Sequence, residues 1–203
     1  IDLTERGKVF LQNIHYLVLD EADEMLNMGF KEDIETILKQ TPENRRTMLF
    51  SATMPKEISN IVHQFMKDYE EIIVGQKNSG ASNVEHIYYL TPAKYRYLTL
   101  KRIVDLNPDI YGIVFCRTRQ ETKEVAEKLM QDGYNADALH GDLSQAQRDN
   151  VMQKFRIRNV QLLVATDVAA RGLDVSDLTH VINYNLPDDP EVYTHRSGRT
   201  GRI

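Results

Sequence analysis

Short apolar runs alternate with amphipathic stretches along the whole chain. Tyr16 to Leu19, Thr47 to Phe50 and Ile72 to Val74 read as brief buried strands. Between them Leu26, Phe30, Ile34, Ile37 and Leu38 fall on one face of a 3.6-residue repeat, and Ile58, Ile61, Val62, Phe65 and Met66 form a second such face. After a break the same rhythm resumes. Strands are expected near Ile87 to Leu90, Tyr111 to Phe115, Ala136 to Leu139, Gln161 to Ala165 and His180 to Tyr184, with helical stretches between them. Strand and helix in alternation predict an α/β fold built on parallel sheets.

The break is Gly75 to Asn83, which is polar, bears two glycines and lacks apolar periodicity. It divides the chain into residues 1–75, a linker at 76–83, and residues 84–203. The first block has about three strands, fewer than a free-standing doubly wound sheet usually carries, and so reads as the C-terminal part of a domain. The chain opens on Ile1 rather than methionine and stops at Ile203 directly after an Arg/Gly-rich run, which reads as truncation at both ends.

With 203 residues and 41% apolar composition, the chain can bury a substantial core. No apolar run approaches the ~20 residues needed to span a bilayer, and no leader pattern is evident, so a cytoplasmic location is the default expectation. The single cysteine, Cys116, excludes an internal disulfide and sits at the end of an apolar strand, where packing is the expected role. The formal charge of −5 argues against a strong basic footprint. Its distribution qualifies this: residues 1–75 carry 8 Lys/Arg against 14 Asp/Glu, whereas residues 84–203 carry 16 of each. Phosphate binding must then rest on locally placed arginines and backbone amides.

Polar chemistry gathers where strands end. Asp20-Glu21-Ala22-Asp23 follows the Tyr16 strand, at the carboxyl end where open α/β sheets bind ligands. Asp20 is a candidate for holding Mg²⁺ through water, since this cation takes only one or two carboxylates, and Glu21 for orienting the water that attacks a phosphate. Helix capping is the competing explanation for Asp23 and Glu24. Ser51-Ala52-Thr53 follows the next strand. Thr53 reads equally as a cap for a helix opening at Pro55 or, with Ser51, as a hydrogen-bonding partner of the acids.

In the second block, Arg117 follows one expected strand and His140-Gly141-Asp142 another, the latter a turn able to present amides to phosphate. Gln145 and Arg148 share one helical face that reads equally as solvent-exposed. Ala165 to Asp174 combines Thr166, Arg171, Gly172 and Asp174, with Thr166 also a possible cap. Near the end, His195 to Arg202 packs three arginines and two glycines into eight residues, a composition suited to gripping phosphate, with a solvated basic loop as the alternative. No zinc-ligand spacing or nucleophile elbow is present.

Taken in order, Asp20-Glu21-Ala22-Asp23, Ser51-Ala52-Thr53, Ile113 to Thr118, Gln145 with Arg148, Ala165 to Asp174, and His195 to Arg202 resemble the DEAD-box RNA helicases, in wording nearest the bacterial members. The resemblance implies two RecA-like lobes that close over ATP and RNA. It implies catalytic roles for Asp20, Glu21, Arg199 and Arg202, with Mg²⁺ as the metal, and ATP contacts at Gly172 and Asp174. Asp23, Ser51, Thr53 and His195 would couple hydrolysis to lobe closure, and Arg117, Gly141, Arg148 and Thr166 would contact RNA, leaving a locally unwound duplex as product.

One departure is large. Nowhere do these residues contain Gly-x-x-x-x-Gly-Lys-Ser/Thr, the loop that cradles phosphates in this family; after Gly7-Lys8 stands Val9. The chain as given is therefore expected to hydrolyse ATP negligibly. The competing readings are a binding module that keeps only an RNA or protein surface, and a DNA translocase, which the Asp-Glu-Ala-Asp wording disfavours.

Overall fold

A computed structural model describes residues 1–74, 84–173, 175 and 177–200. The linker predicted at 76–83, and Asp174 and Arg202 among the candidate site residues, lie outside the described residues. The chain divides into two compact units, Ile1–Asn78 and Ser79–Ile203.

In the first unit, helix α1 (Asp2–Glu5) precedes strand β1 (Tyr16–Leu19), helices α2 (Ala22–Asn27) and α3 (Lys31–Gln40), strand β2 (Arg46–Leu49) and helix α4 (Lys56–Phe65). The two strands pair in parallel, Tyr16 opposite Arg46 and Leu19 opposite Leu49. Alternate residues face the core: Leu19 packs with Ile34, Leu38, Ile58, Ile61 and Val62, and Leu17 and Leu49 press against this cluster. The single helical face expected from Leu26 to Leu38 is broken into α2 and α3 at Gly29, whose φ of +83° is a left-handed conformation that favours glycine.

Ile72 to Val74 is not a strand. These residues pair with no strand among the described residues and stand largely exposed, Val74 at 94%. Ile87 to Leu90 corrects the expectation in the same way, with Leu90 93% exposed. An apolar run supplies the side chains of a strand but not the hydrogen-bonding neighbour, and without that neighbour the pattern alone does not make one.

The second unit contains helices α5 (Arg96–Leu106), α6 (Arg119–Gln131), α7 (Gln145–Arg156), α8 (Asp167–Ala170) and α9 (Pro190–Ser197) around strands β3 (Gly112–Phe115), β4 (Ala136–Leu139), β5 (Leu162–Ala165) and β6 (His180–Asn183). A short 3₁₀ turn, Ala93–Tyr95, leads into α5. The four strands form one parallel sheet in the order β4-β5-β3-β6.

Both faces of this sheet are covered, as the continuous apolar runs require. Ile113, Phe115, Leu163 and Ala165 point to a core shared with Val151, Met152 and Phe155 of α7; Val114, Leu162 and Val164 point to the opposite core with Leu100 and Val104 of α5 and Val125, Ala126 and Leu129 of α6. A fully buried side chain such as Phe155 contributes about 2–3 kcal/mol. Cys116 is buried and its backbone N–H bonds the carbonyl of Ala165 at 2.9 Å, while burial pushes the thiol up to about 12, which suits packing and not nucleophilic chemistry.

Helix starts follow the local chemistry. Thr118 caps α6 by accepting from the N–H of Glu121; Ser144 and Gln147 form a reciprocal capping box on α7; Asp189 accepts from Glu191 with Pro190 opening α9. These caps set the helices that carry the polar residues of the site.

Candidate functional site

In the first unit the chemistry begins where β1 gives way to α2. Glu21 occupies the left-handed region at φ 50°, ψ 45°, a conformation costly for a residue with a side chain and one that concentrates at functional sites. The N–H of Glu21 donates to Asp20 Oδ1 at 2.9 Å. Asp20 itself is exposed at the carboxyl end of its strand.

The start of α2 then meets the end of β2. Backbone N–H groups in the first turn of a helix lack intrahelical partners, and here the following strand supplies them. Ala22 N–H donates to the Phe50 carbonyl at 3.1 Å and Asp23 N–H to Ser51 Oγ at 3.3 Å, while Glu24 N–H is taken by Asp23 Oδ1 at 3.0 Å. Asp23 is 1% exposed, and its other oxygen accepts from both the N–H and the hydroxyl of Thr53, at 2.8 and 2.7 Å. Ser51 Oγ donates to the Thr53 carbonyl at 2.6 Å, which closes the network.

Asp23, Ser51 and Thr53, grouped from the sequence, are therefore brought together. The capping alternative fails for Thr53, because α4 takes Pro55 as its N-cap with no side-chain bond and the Thr53 hydroxyl is spent on Asp23. It holds for the acids alongside the network: Asp23 and Glu24 stand in the first turn of α2, and Asp23 Oδ1 accepts the Glu24 N–H there.

In the second unit the expected residues line the carboxyl edge of the parallel sheet. Gly141 follows β4, Thr166 follows β5 and Arg117 follows β3, three strands adjacent in the sheet. Thr166 stands at the N-cap position of α8 but makes no capping bond with its hydroxyl. Arg148 reaches the same edge from α7, where its Nη2 donates to the Ala169 carbonyl at 2.8 Å, so this side chain is not purely solvent-facing.

Arg117 turns toward the residues after β6. Its N–H donates to Asn185 Oδ1 at 3.0 Å and Glu121 Oε2 at 3.2 Å, and its guanidinium to Asp188 Oδ1 at 3.1 Å. Gly141 has room for a side chain, with only Arg119 Cδ at 3.7 Å from an added Cβ, so close backbone approach within the chain does not demand glycine there.

Gly172 adopts φ +62°, a turn that needs its missing Cβ. His195 lies in the last turn of α9. Arg199 follows that helix, and its Nη1 donates to the Leu173 carbonyl at 3.2 Å, which ties the arginine-bearing segment to the Gly172 turn.

Arg196 differs from the other arginines of its segment. It is 4% exposed, forks onto both oxygens of Asp167 at 2.6 and 2.7 Å, and gives Nη1 to Asn183 Oδ1 and the Asn185 carbonyl, each at 2.8 Å. Its guanidinium also lies 4.9 Å from the Phe115 ring centroid. This residue is a structural tie between α9, α8 and the sheet. The partnership with Asp167 spans 29 positions, and no local sequence signal points to it.

Around His140 the sequence reading missed a charge cluster: Arg119 pairs with Asp142, and Lys123 Nζ stands 2.9 Å from the same carboxylate. His140 is buried, which lowers its pKa, with Lys123 nearby acting in the same direction.

No group of three or more His, Cys, Asp or Glu among the described residues is arranged to hold a metal ion. A hydrated Mg²⁺ needs no such group, because one exposed carboxylate and the oxygens of a bound phosphate suffice; Asp20 meets that requirement. No helix among the described residues is long and apolar enough to cross a membrane.

Known proteins resemble the chain in both of its units. Residues 1–61 match the family model described as DEAD/DEAH box helicase, and residues 95–203 that described as helicase conserved C-terminal domain. The chain is 50% identical over 202 residues to the DEAD-box ATP-dependent RNA helicase CshA of Geobacillus kaustophilus, a match covering 100% of this chain and 43% of that protein. It is 48% identical over 200 residues to a probable ATP-dependent RNA helicase of Methanocaldococcus jannaschii, covering 98% of this chain and 53% of the relative.

Two solved structures are similar over nearly the full chain. A DEAD box protein from the hyperthermophile Methanococcus jannaschii gives a TM-score of 0.58 at 48% identity, covering 99% of this chain and 54% of that one. Saccharomyces cerevisiae Dbp5 bound to RNA and ADP BeF3 gives 0.89 at 30% identity, covering 100% and 54%. The chain thus spans about half the length, or less, of the relatives it matches.

Proposed function

Because the chain belongs to the DEAD-box helicase family, we propose that it is the part of an ATP-dependent RNA helicase that carries the catalytic acids, the coupling network and the RNA-contacting edge of the second lobe. Residues 1–75 are the C-terminal part of the first RecA-like lobe and 84–203 the second. The observation that carries the reading is the strained Asp20-Glu21 turn set directly on the closed Asp23–Ser51–Thr53 network. Strain stored at a strand end, beside a buried carboxylate with its hydrogen bonds met, is an arrangement for positioning and not for folding alone.

In the proposed reaction Asp20 would hold Mg²⁺ through water, and Glu21 orients the water that attacks the γ-phosphate of ATP. When bound, the cation supplies neutralisation of the phosphate charge. Arg199 and Arg202 offset the charge that develops on the transferred group, and Gly172 and Asp174 contact the nucleotide. Asp23, Ser51, Thr53 and His195 couple that chemistry to RNA binding, for which Arg117, Gly141, Arg148 and Thr166 meet the sugar-phosphate backbone. The result is local unwinding of a duplex. The names of the relatives, which are ATP-dependent RNA helicases, and the capture of Dbp5 with RNA and ADP BeF3 support the choice of substrates.

The 203 residues contain no phosphate-cradling loop, so the chain by itself is proposed to be inactive as an ATPase. The test compares RNA-stimulated phosphate release by this chain and by a longer protein extended upstream to include such a loop. Turnover is expected only in the longer protein, and Glu21→Gln there should lower kcat at least ~100-fold. Comparable turnover by the chain alone would overturn the assignment of inactivity; stimulation by DNA equal to that by RNA would overturn the substrate.

A further inference from the structure

The segment between β6 and α9 holds Arg117 at two places, and the function just described gives no role to the groups that hold its main chain. Asn185 Oδ1 accepts the Arg117 N–H at 3.0 Å, and Asn185 Nδ2 donates to Glu121 Oε1 at 3.2 Å. Glu121 Oε2 accepts the same Arg117 N–H at 3.2 Å, so a peptide N–H, a carboxylate and a carboxamide form a closed triangle. Glu121 stands where a capping box on α6 would put its carboxylate on the N–H of the cap, Thr118; it reaches one residue further back, onto Arg117. One orientation of the Asn185 amide serves both partners, with its oxygen on the N–H and its NH₂ on the carboxylate.

The guanidinium of Arg117 meets the same segment further along. Its Nη2 donates to the Leu186 carbonyl at 3.4 Å and to Asp188 Oδ1 at 3.1 Å, and Asp188 directly precedes Asp189, the N-cap of α9. The main chain of Asn185 serves α9 instead. Its carbonyl accepts Arg196 Nη1 at 2.8 Å, and Arg196 is the buried tie of that helix, three residues before Arg199. Asn185 thus has its side chain on the strand end that carries Arg117 and its carbonyl on the helix that leads into the arginine segment.

We propose that Asn185 and Glu121 are positioning residues through which a change at Arg117 is passed to α9, and with it to Arg199. The inference rests on the reading that Arg117 meets RNA and Arg199 the transferred phosphate. A ligand that takes the Arg117 guanidinium must draw it from Leu186 and Asp188. It can do so, since the Arg117 and Asp188 side chains are 58% and 91% exposed and their ion pair is solvent-screened. The segment then loses its hold on the guanidinium and keeps its hold on the Arg117 N–H. The triangle is the more sheltered of the two, with the Glu121 side chain 26% exposed, so it fixes residue 185 against the end of β3 while residues 186–189 are released. Coupling between sites needs a contiguous set of contacts with two discrete arrangements. Here these are the guanidinium on Asp188 and the guanidinium withdrawn from it, with Asn185 as the fixed point between Arg117 and Arg196.

The experiment uses the longer, active protein and measures its affinity for a fluorescent single-stranded RNA by anisotropy, without nucleotide and with ADP and beryllium fluoride. The ratio of the two dissociation constants is the coupling factor. Asn185→Asp sets two carboxylates against each other, and Glu121→Ala removes one corner of the triangle. Each should cut the factor about threefold to tenfold and leave RNA affinity without nucleotide within about twofold of the wild type. Combining Asn185→Asp with Glu121→Gln exchanges carboxylate and carboxamide, rebuilds the triangle and should restore the factor. A purely structural role would lower the melting temperature and leave the factor alone. An unchanged factor in Glu121→Ala or in folded Asn185→Asp, or a loss that the exchange does not repair, would overturn the inference; Glu121→Ala keeps the test decisive if Asn185→Asp does not fold. Arg117→Ala and Arg199→Ala separate the two levels. If the first lowers RNA affinity and the second stops turnover while the Asn185 and Glu121 variants couple normally, only this inference fails; if neither has its effect, the underlying reading fails and the inference with it.

Discussion

A single carboxylate oxygen of Asp23 accepts both the backbone N–H and the hydroxyl of Thr53, at 2.8 and 2.7 Å, across 30 positions of sequence. The bond pair ties the first turn of α2 to the segment leaving β2, and Ser51 closes the link from the other side.

Thr53→Val keeps the shape and removes one donor to a buried charge. Hydrogen bonds to charged groups are worth about 1.5–3 kcal/mol, so denaturant unfolding of the chain should show a loss in that range. Asp23→Ala should cost more, about 3 kcal/mol, since it strips the partners of Thr53 and Glu24 together. If the Thr53 and Ser51 changes proved additive, the closed network would not be acting as one unit.

Arg196 and Arg199 stand three residues apart, yet their substitutions should separate cleanly. Arg196→Ala leaves the Asp167 carboxylate without its fork and should destabilise the second unit by about 3–5 kcal/mol, and Arg196→Lys should not rescue it, because a point charge cannot reproduce the bidentate contact. Arg199→Ala should cost under about 1 kcal/mol in thermal melts while abolishing ATP turnover in a longer, active protein. Equal destabilisation by the two would contradict the division of roles.

Stability of the second unit should fall as pH drops from 7.5 toward 5. Burial lowers the pKa values of His140 and His180 below the ordinary 6.5, so the folded state holds fewer protons on them than the unfolded chain does. Their contribution is complete above the unfolded value and is lost as pH descends through it toward the folded one. His140→Gln should flatten the melting temperature against pH in that window; a profile as steep as the wild type would exclude His140 as a cause.

At Gly112 an added Cβ would stand 2.5 Å from the backbone carbonyl oxygen of His180, on the neighbouring strand β6. Gly112→Ala must push β3 and β6 apart and should cost about 1–3 kcal/mol, measured by denaturant unfolding. A neutral outcome would mean that the two strands separate more easily than their buried packing implies.

Where the candidate residues stand in the fold was largely legible in the sequence. Polar residues following short apolar runs marked the carboxyl ends of β1, β2, β3, β4 and β5, and Asp20, Ser51, Arg117, Gly141 and Thr166 all stand there. The apolar runs at Ile72–Val74 and Ile87–Leu90 misled, since strand formation depends on a neighbour that composition does not report. Arg196 was indistinguishable from Arg199 along the chain, because both belong to one basic run.

What the sequence determined alone was the alternation of strand and helix, apart from the runs at 72–74 and 87–90, and the family, for periodic burial and short motifs are properties of residues near one another in the chain. Tertiary structure decided which polar group meets which. The pairings Asp23 with Thr53, Arg196 with Asp167, and Lys123 with Asp142 span 30, 29 and 19 positions. Such contacts arise only when the fold brings distant segments together, and for Asp23 and Arg196, both buried, a charge left without its partner is too costly to persist.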